Sequence, residues 1–330
     1  MTETPARPLI SLLTPVYNEE GNLPEFYRLA CEAVEGADFD LEFVFVNDGS
    51  RDRSAEILRE LAERDPRVQV LFFSRNFGAI SACTAALMHA SGDAGILMSA
   101  DLQDPPSLIP QLVAAWREGN DIVWAVRETR DDPPMKLLYA KMFYGVIRHL
   151  VFRDYPENGT DVGLFSRRAL DIYRSLPERD SSPFYALYSY GFKQARIPYA
   201  RRGRVWGTSG WPFWKRVKNA LDVITTFSFI PLRLISSTGL VISALALLSG
   251  VWVLLSNLFS KGAAPGWPSL AVLVLFLGGL NMLFLGVIAE YIWRIAEQTR
   301  HRPRYIIADR AGKSERIKRK LDLLDLDVSE

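Results

Sequence analysis

The chain has 330 residues, 48% of them hydrophobic and 23% charged, with 39 Lys and Arg against 38 Asp and Glu, a net charge of +1. That balance leaves no basic footprint for nucleic acid. The 2 cysteines, Cys31 and Cys83, and the 3 histidines, His89, His149 and His301, follow no disulfide or zinc spacing, so the cysteines are expected as buried apolar residues in a reducing compartment.

The start, MTETPARP, has no apolar run, and no signal peptide is expected. From residue 8 to about 125 strand and helix patterns alternate. Leu9–Thr14 reads as a strand ending at Pro15, and Glu20–Val34 has helical spacing. Leu41–Val46 is a second strand, closed by Asn47-Asp48-Gly49-Ser50 as a turn and helix cap, and Asp52–Arg64 is helical. Val68–Phe73, Gly95–Met98 and Asp121–Ala125 follow as strands, separated by helices at Ala79–Ala90 and Leu108–Glu118. This rhythm predicts an α/β domain with a mostly parallel sheet, in which ligands bind beyond the carboxyl ends of the strands. Those ends carry Pro15 to Glu19, Asn47 to Ser50, Ser74-Arg75-Asn76, Ser99 to Gln103, and Arg127. Any one of them reads as a turn or cap; five on one edge make a site. No GxGxxG, GxxxxGK[ST] or GxSxG motif is present.

Residues 131–231 show polar turns, a helix around Met135–Val151 and an acidic turn at Tyr155–Asp161. From Trp211 to Phe229 aromatic and basic residues interleave, the composition of a helix lying in a membrane interface. Two apolar runs follow, Leu232–Phe259 and Leu270–Ile292, each as long as the ~20 residues a bilayer span needs. Their flanks are basic (Lys215, Arg216, Lys218 and Arg233 before; Arg294, Arg300, Arg302 and Arg304 after), which places both termini and the catalytic domain in the cytoplasm. The expected partition is a catalytic domain at 1–210, an amphipathic helix at 211–231, spans at 232–259 and 270–293, and a cytoplasmic tail at 294–330 whose end, KSERIKRKLDLLDLDVSE, reads as a solvated helix. Gly239 with Ser243 and the Gly278-Gly279 step permit close approach of the spans.

The segments TPVYNEEGNLPEF, VFVNDGSRDRS, SRNFG and SADLQDPP, in this order and followed by two apolar runs, resemble the polyprenyl-phosphate glycosyltransferases. These are relatives of dolichol-phosphate mannose synthase with the GT-A fold, in the bacterial group that glycosylates undecaprenyl phosphate. The resemblance covers nearly the whole chain. It implies an inverting transfer of a hexose from a nucleotide sugar, with UDP as the expected nucleotide, to undecaprenyl phosphate at the cytoplasmic face of the plasma membrane. It implies that Pro15, Tyr17, Glu19, Val46 and Asp48 hold the nucleotide base and ribose. Ser99, Ala100, Asp101 and Gln103 would meet the sugar diphosphate, with Asp101 and Gln103 holding Mg²⁺ or Mn²⁺. Arg127 and Arg204 would approach phosphates, and Asp101, Asp161 and Arg127 form the expected catalytic set. Relatives are homo-oligomers, tetramers among them.

The chemistry agrees with these roles. A leaving nucleoside diphosphate needs its charge neutralised, which a hard cation held by oxygen ligands supplies. A lipid phosphate, with a second pKa of about 6, is already largely a dianion at neutral pH and needs cations and alignment more than a strong base. Arg127, Arg130, Arg201, Arg202 and Arg204 are the candidate cations. The chain departs from the family pattern in three places: Ser99 stands where many relatives have aspartate, Thr160-Asp161-Val162-Gly163 replaces Gly-Asp-Phe-Arg, and Gly207-Thr208-Ser209-Gly210 replaces Gly-x-Ser-Lys. Two other readings are a sugar-nucleotide-binding scaffold that lost catalysis with the first acid, and a processive polysaccharide synthase. The retained Asp101, Gln103 and Asp104 oppose the first, and the absence of a Q-x-x-R-W motif opposes the second.

Overall fold

The computed structural model describes residues 7–128, 141, 143–145, 147–149, 151–157, 159–176, 182–201, 230–259, 266–299 and 303–312. They divide between two compact units, one within 1–218 and 303–330, the other within 219–302.

The first unit is built on an eight-stranded sheet. Along the chain run β1 (Leu9–Val16), α1 (Leu23–Ala33), β2 (Asp40–Asn47), α2 (Ser54–Arg64), β3 (Val68–Phe73), α3 (Ala79–His89), β4 (Ala94–Leu97), α4 (Leu108–Arg117) and β5 (Ile122–Arg127). After these come β6 (Val162–Ser166), α5 (Arg167–Ser175), α6 (Pro183–Ser189), β7 (Gln194–Tyr199) and, from the end of the chain, β8 (Ile307–Ala311). The sheet order is β7-β5-β6-β4-β1-β2-β3-β8. The pairs β1–β2, β2–β3, β1–β4 and β5–β7 are parallel, whereas β6 is antiparallel to both β4 and β5, and β8 is antiparallel to β3. The central strands are continuous apolar runs because helices cover both faces. Ile10, Leu12, Leu13, Phe43, Phe45 and Ile96 are fully buried, each such side chain contributing about 1.5–3 kcal/mol through removal from water.

The expected α/β fold is therefore present, GT-A-like and mostly parallel, with two corrections to its sheet. The stretch after Asp161 is not only a turn: it becomes β6, which reverses direction between β4 and β5. Within the expected tail, Ile307–Ala311 is a strand, for which the sequence reading had no element, and it pairs along the edge of β3. Tyr305 stacks on Phe73 with centroids 4.9 Å apart, Ser74 N–H donates to the Ile306 carbonyl at 3.0 Å, and Arg59 pairs with Asp309 at 2.6 Å. The expected helix at 313–330 lies outside the described residues, as does all of 211–229. Cys31 and Cys83 are unpaired and half-buried, and burial pushes the Cys83 thiol up to about 12.

The second unit contains two long helices, α7 (Ile230–Phe259) and α8 (Trp267–Thr299). Leu240, Leu248 and Trp252 on α7, and Phe276, Met282 and Ile292 on α8, are exposed. A helix that is apolar all round is covered by protein or by lipid. Among the described residues one stretch, Phe276–Trp293 in α8, is long and apolar enough to cross a membrane, and a shorter apolar stretch, Arg233–Ile242, lies in α7. Of the two expected spans, the described residues thus carry one at full length.

Candidate active site

Because β4, β5 and β7 run parallel to β1, β2 and β3, their carboxyl ends share one edge of the sheet. Antiparallel β6 begins at that same edge, which brings Asp161 to it. The edge has two halves.

Over β1, β2 and β3 the loops are joined by hydrogen bonds between side chains and backbone. Asn18 adopts a left-handed φ of 55°, which asparagine tolerates. Its N–H donates to Ser50 Oγ at 3.0 Å and its Oδ1 accepts from Arg51 N–H at 2.8 Å. Glu19 N–H donates to Ser54 Oγ at 2.9 Å, and Arg53 N–H donates to Glu20 Oε2 at 2.9 Å. Buried Asp48 extends the seam to the third loop, its Oδ1 accepting from Phe77 N–H at 2.6 Å and its Oδ2 from Gly78 N–H at 2.9 Å. Burial holds the Asp48 carboxyl above its usual range, opposed by these two donors. Gly49 has φ +65°, and a Cβ there would lie 2.6 Å from the Arg75 carbonyl carbon. Only glycine allows the second and third loops to approach this closely. Pro15 sits opposite Val46 in the β1–β2 register, and Tyr17 is exposed beside them in sequence. All five residues expected at the nucleotide therefore fall on this half. Asp48 has a structural duty as well, which the sequence did not disclose.

Over β4 the chain turns at Leu102, whose φ of 57° is left-handed. Outside glycine this backbone costs about 1–2 kcal/mol, and it is sustained here because the Leu102 side chain is anchored in the core. Asp101 and Gln103 flank this anchor. Asp101 is only 4% exposed, and its Oδ1 accepts from Gln103 N–H at 3.2 Å. Ser99 is half-buried and Ala100 buried. The carboxylate and amide oxygens of Asp101 and Gln103 are hard donors suited to Mg²⁺ or Mn²⁺, which characteristically take one or two carboxylates and complete their shell with substrate phosphates and water. Among the described residues no cluster of three His, Cys, Asp or Glu offers a site formed by protein alone. The donor set of Asp101 and Gln103 thus fits a hard divalent cation whose remaining ligands come from elsewhere.

Beyond β4 the edge is held by charge. Arg127, at the end of β5 and buried, pairs with Asp161. Asp161 Oδ2 also lies 3.4 Å from Arg201 Nη2, and Arg201 Nε lies 3.4 Å from Asp104 Oδ1. The Tyr199 hydroxyl, at the end of β7, donates to Asp104. Burial, then the Asp104 carboxylate, pushes the Tyr199 phenol well above its ordinary range, while Arg127 acts against this. Sequence reasoning placed Asp101, Asp161 and Arg127 together. It missed Tyr199 and had Asp104 and Arg201 only as an acid and a cation without partners. Arg130, Arg202 and Arg204 lie outside the described residues. A depression of about 570 Å³ at the amino ends of β1–β3, lined in part by Arg7, Asp40, Glu42 and Arg67, contains none of the motif residues.

An edge with hydrogen-bonded loops over one half, oxygen donors at the centre and paired charges over the other is suited to a sugar nucleotide. Residues 11–174 match the model for glycosyl transferase family 2. The chain is 40% identical to a bactoprenol glucosyl transferase of Shigella phage SfV, over 92% of this chain and 99% of the relative. It is 41% identical to the uncharacterized glycosyltransferase YkcC of Bacillus subtilis, over 92% of this chain and 94% of the relative. Among solved structures, a Pyrobaculum calidifontis mannosyltransferase in complex with GDP-Man and Mn²⁺ is 18% identical, covers 87% of this chain and 88% of its own, and has a TM-score of 0.48. The chain belongs to glycosyl transferase family 2, in the group of polyprenyl-phosphate glycosyltransferases.

Proposed function

We propose that this protein transfers a hexose, with inversion, from a UDP-linked sugar to undecaprenyl phosphate at the cytoplasmic face of the plasma membrane. The observation that carries this reading is the likeness to bactoprenol glucosyl transferases over 92% of the chain, which takes in the long helices as well as the GT-A-like unit. On this reading α7 and α8 anchor the enzyme in the bilayer, with both termini cytoplasmic.

The loops over β1, β2 and β3, with Pro15, Tyr17, Glu19, Val46 and Asp48, receive the nucleotide. Their mutual hydrogen bonds fix them before it arrives, so little ordering entropy is lost on binding. Asp101 and Gln103 would hold Mg²⁺ or Mn²⁺, which would supply positive charge for the diphosphate leaving group. The acceptor phosphate is a competent nucleophile at neutral pH, and what it needs is a cationic seat in line with the anomeric carbon. Arg127 and Arg201 provide positive charge there, and Asp161 keeps both in place. Asp161 lies against two guanidiniums, so its role is to position cations. Attack by the lipid phosphate in a single displacement inverts the anomeric carbon. Gly239 on α7 and Gly278 and Gly279 on α8 have open space around them, which suits packing of copies into a homo-oligomer such as a tetramer.

The decisive experiment incubates membranes containing the full chain with labelled UDP-glucose, UDP-N-acetylglucosamine or GDP-mannose and reads the lipid extract. Label in a polyprenyl-phosphate hexose of inverted configuration is expected. Absence of lipid-linked label with every donor would instead support a binding scaffold. A reporter after Glu330 should be active only as a cytoplasmic fusion.

A further inference from the structure

The turn after β4 carries a second carboxylate, Asp104, for which the transfer chemistry has so far needed no role. It is the most enclosed acid of the edge, with 0% exposure. An enclosed carboxylate is costly unless paired. Its Oδ1 takes the Tyr199 hydroxyl and faces Arg201 Nε at 3.4 Å, while its Oδ2 is buried with no hydrogen-bond partner among the described residues. Two acids and two bases alternate from here outward: Asp104, Arg201, Asp161, Arg127. Arg201, at 25% side-chain exposure, is the more open of the two cations, Arg127 being at 2%. Two residues, Leu102 and Gln103, separate Asp104 from Asp101, and Arg201 lies two positions after the end of β7. The pair thus ties the turn that holds the cation ligands to the chain leaving β7.

Two roles compete for such an acid. It could complete the metal's ligand set, replacing the carboxylate lost at Ser99, or it could hold a cation in place. The geometry points to the second: Asp104 is a positioning residue that fixes Arg201 against the turn after β4, so that the guanidinium faces the acceptor phosphate. Its partners are a phenol that donates to Oδ1 and a guanidinium at ion-pair distance from the same oxygen, so the charge of Asp104 is already directed at Arg201. The inference rests on the transfer reading above and assigns it a specific element: the acceptor's cationic seat is held from the donor's side of the site.

The test compares wild type, Asp104→Asn, Arg201→Gln and the double variant, as full chains in detergent. Asn at 104 can still accept from Tyr199 but no longer balances Arg201. Mn²⁺ binding to UDP-loaded protein is read by electron paramagnetic resonance of the free ion, and KM is measured separately for donor and acceptor. We expect acceptor KM to rise about tenfold in each single variant, the scale of losing a supporting partner, with donor KM and Mn²⁺ affinity unchanged within about twofold. The double variant should be no worse than Arg201→Gln alone, because both act through one cation. A tenfold loss of Mn²⁺ affinity in Asp104→Asn would make Asp104 a metal ligand and overturn the inference, as would additive effects on acceptor KM. If Asp104→Asn does not fold, Arg201→Gln decides: an unchanged acceptor KM overturns the inference, and a raised one with intact Mn²⁺ binding supports it. Wild type inactive with every donor would sink the transfer reading, while the Mn²⁺ titration would still read Asp104.

Discussion

The two halves of the site edge are held by different forces. Over β1–β3 the seam consists of backbone amides paired with Ser, Asn and carboxylate oxygens, at separations of 2.6–3.0 Å. Over β4–β7 it consists of Arg and Asp side chains and one phenol, with ion pairs out to 3.4 Å. Backbone hydrogen bonds fix shape and bring little net charge, whereas paired guanidiniums can exchange one anion for another. On the proposed function the first half would receive a constant molecule, a nucleoside, and the second would hold the anions that change during transfer. Substitutions should divide the same way: on the first half they change nucleotide fit and stability, on the second they change use of the acceptor.

The largest effect should come at the junction of the halves. Asp101→Ala, or excess chelator on the wild type, should lower transfer by at least about 100-fold, the scale of losing one electrostatic stabiliser, without a matching loss of folded protein. Radiolabel transfer alongside a thermal melt separates the two; full activity in chelator would remove the metal from the reading. Next comes Gly49→Ala. A left-handed alanine costs about 1–2 kcal/mol before its Cβ meets the Arg75 backbone, so the melting temperature should fall and UDP should bind more weakly. Normal UDP affinity in this variant would show that the approach of the second and third loops is irrelevant to the nucleotide.

A smaller effect is expected for Ser50→Ala, which removes the acceptor for Asn18 N–H and should cost about 1 kcal/mol in stability with Mn²⁺ dependence unaltered. A shift in the Mn²⁺ requirement would blur the division between the halves. The smallest test uses α3, which packs beneath β1, β2 and β4 and so underlies both. Burial, with the Arg310 and Arg174 charges, depresses the pKa of His89 at its end. The folded chain therefore resists protonation there, while the unfolded chain takes up a proton as pH falls below about 6.5. Stability should decline from that pH down to the depressed folded value, and be unaffected by His89 at higher pH. His89→Gln should flatten this part of the curve of melting temperature against pH; an unchanged slope would mean other groups set it.

The alternation of the first half was legible because its strands are buried runs between amphipathic helices. Val68–Phe73 was read with its observed ends, and β1, β2, β4 and β5 within two residues. What the loops do was less legible. Asn47 to Ser50 reads locally as a turn and cap, but Asp48 spends its oxygens on amides 29 and 30 residues ahead, and Ser54 Oγ serves Glu19 N–H 35 residues back. Such pairs have no local signature. The second half was harder for a similar reason. β6 has five residues and runs against its neighbours, and β7 contains Pro198, which demotes it by pattern to an edge. Arg127 was read at a strand end and Asp161 in an acidic turn, their roles coming from the family resemblance, whereas Tyr199 offered no motif at all.

Strand β8 bears on how the protein is made. Its partner, β3, is complete by residue 73, but the ribosome reaches Ile307 only after both long helices have been synthesised. Until then the nascent sheet has a bare flank at β3, the kind of surface that recruits stray strands from other chains. At roughly 5–20 residues per second, that interval lasts on the order of ten seconds or more. Pairings this distant also form late in folding, since a long loop must close first. A chain stopped after α8 would therefore leave the flank of β3 without the strand that covers it.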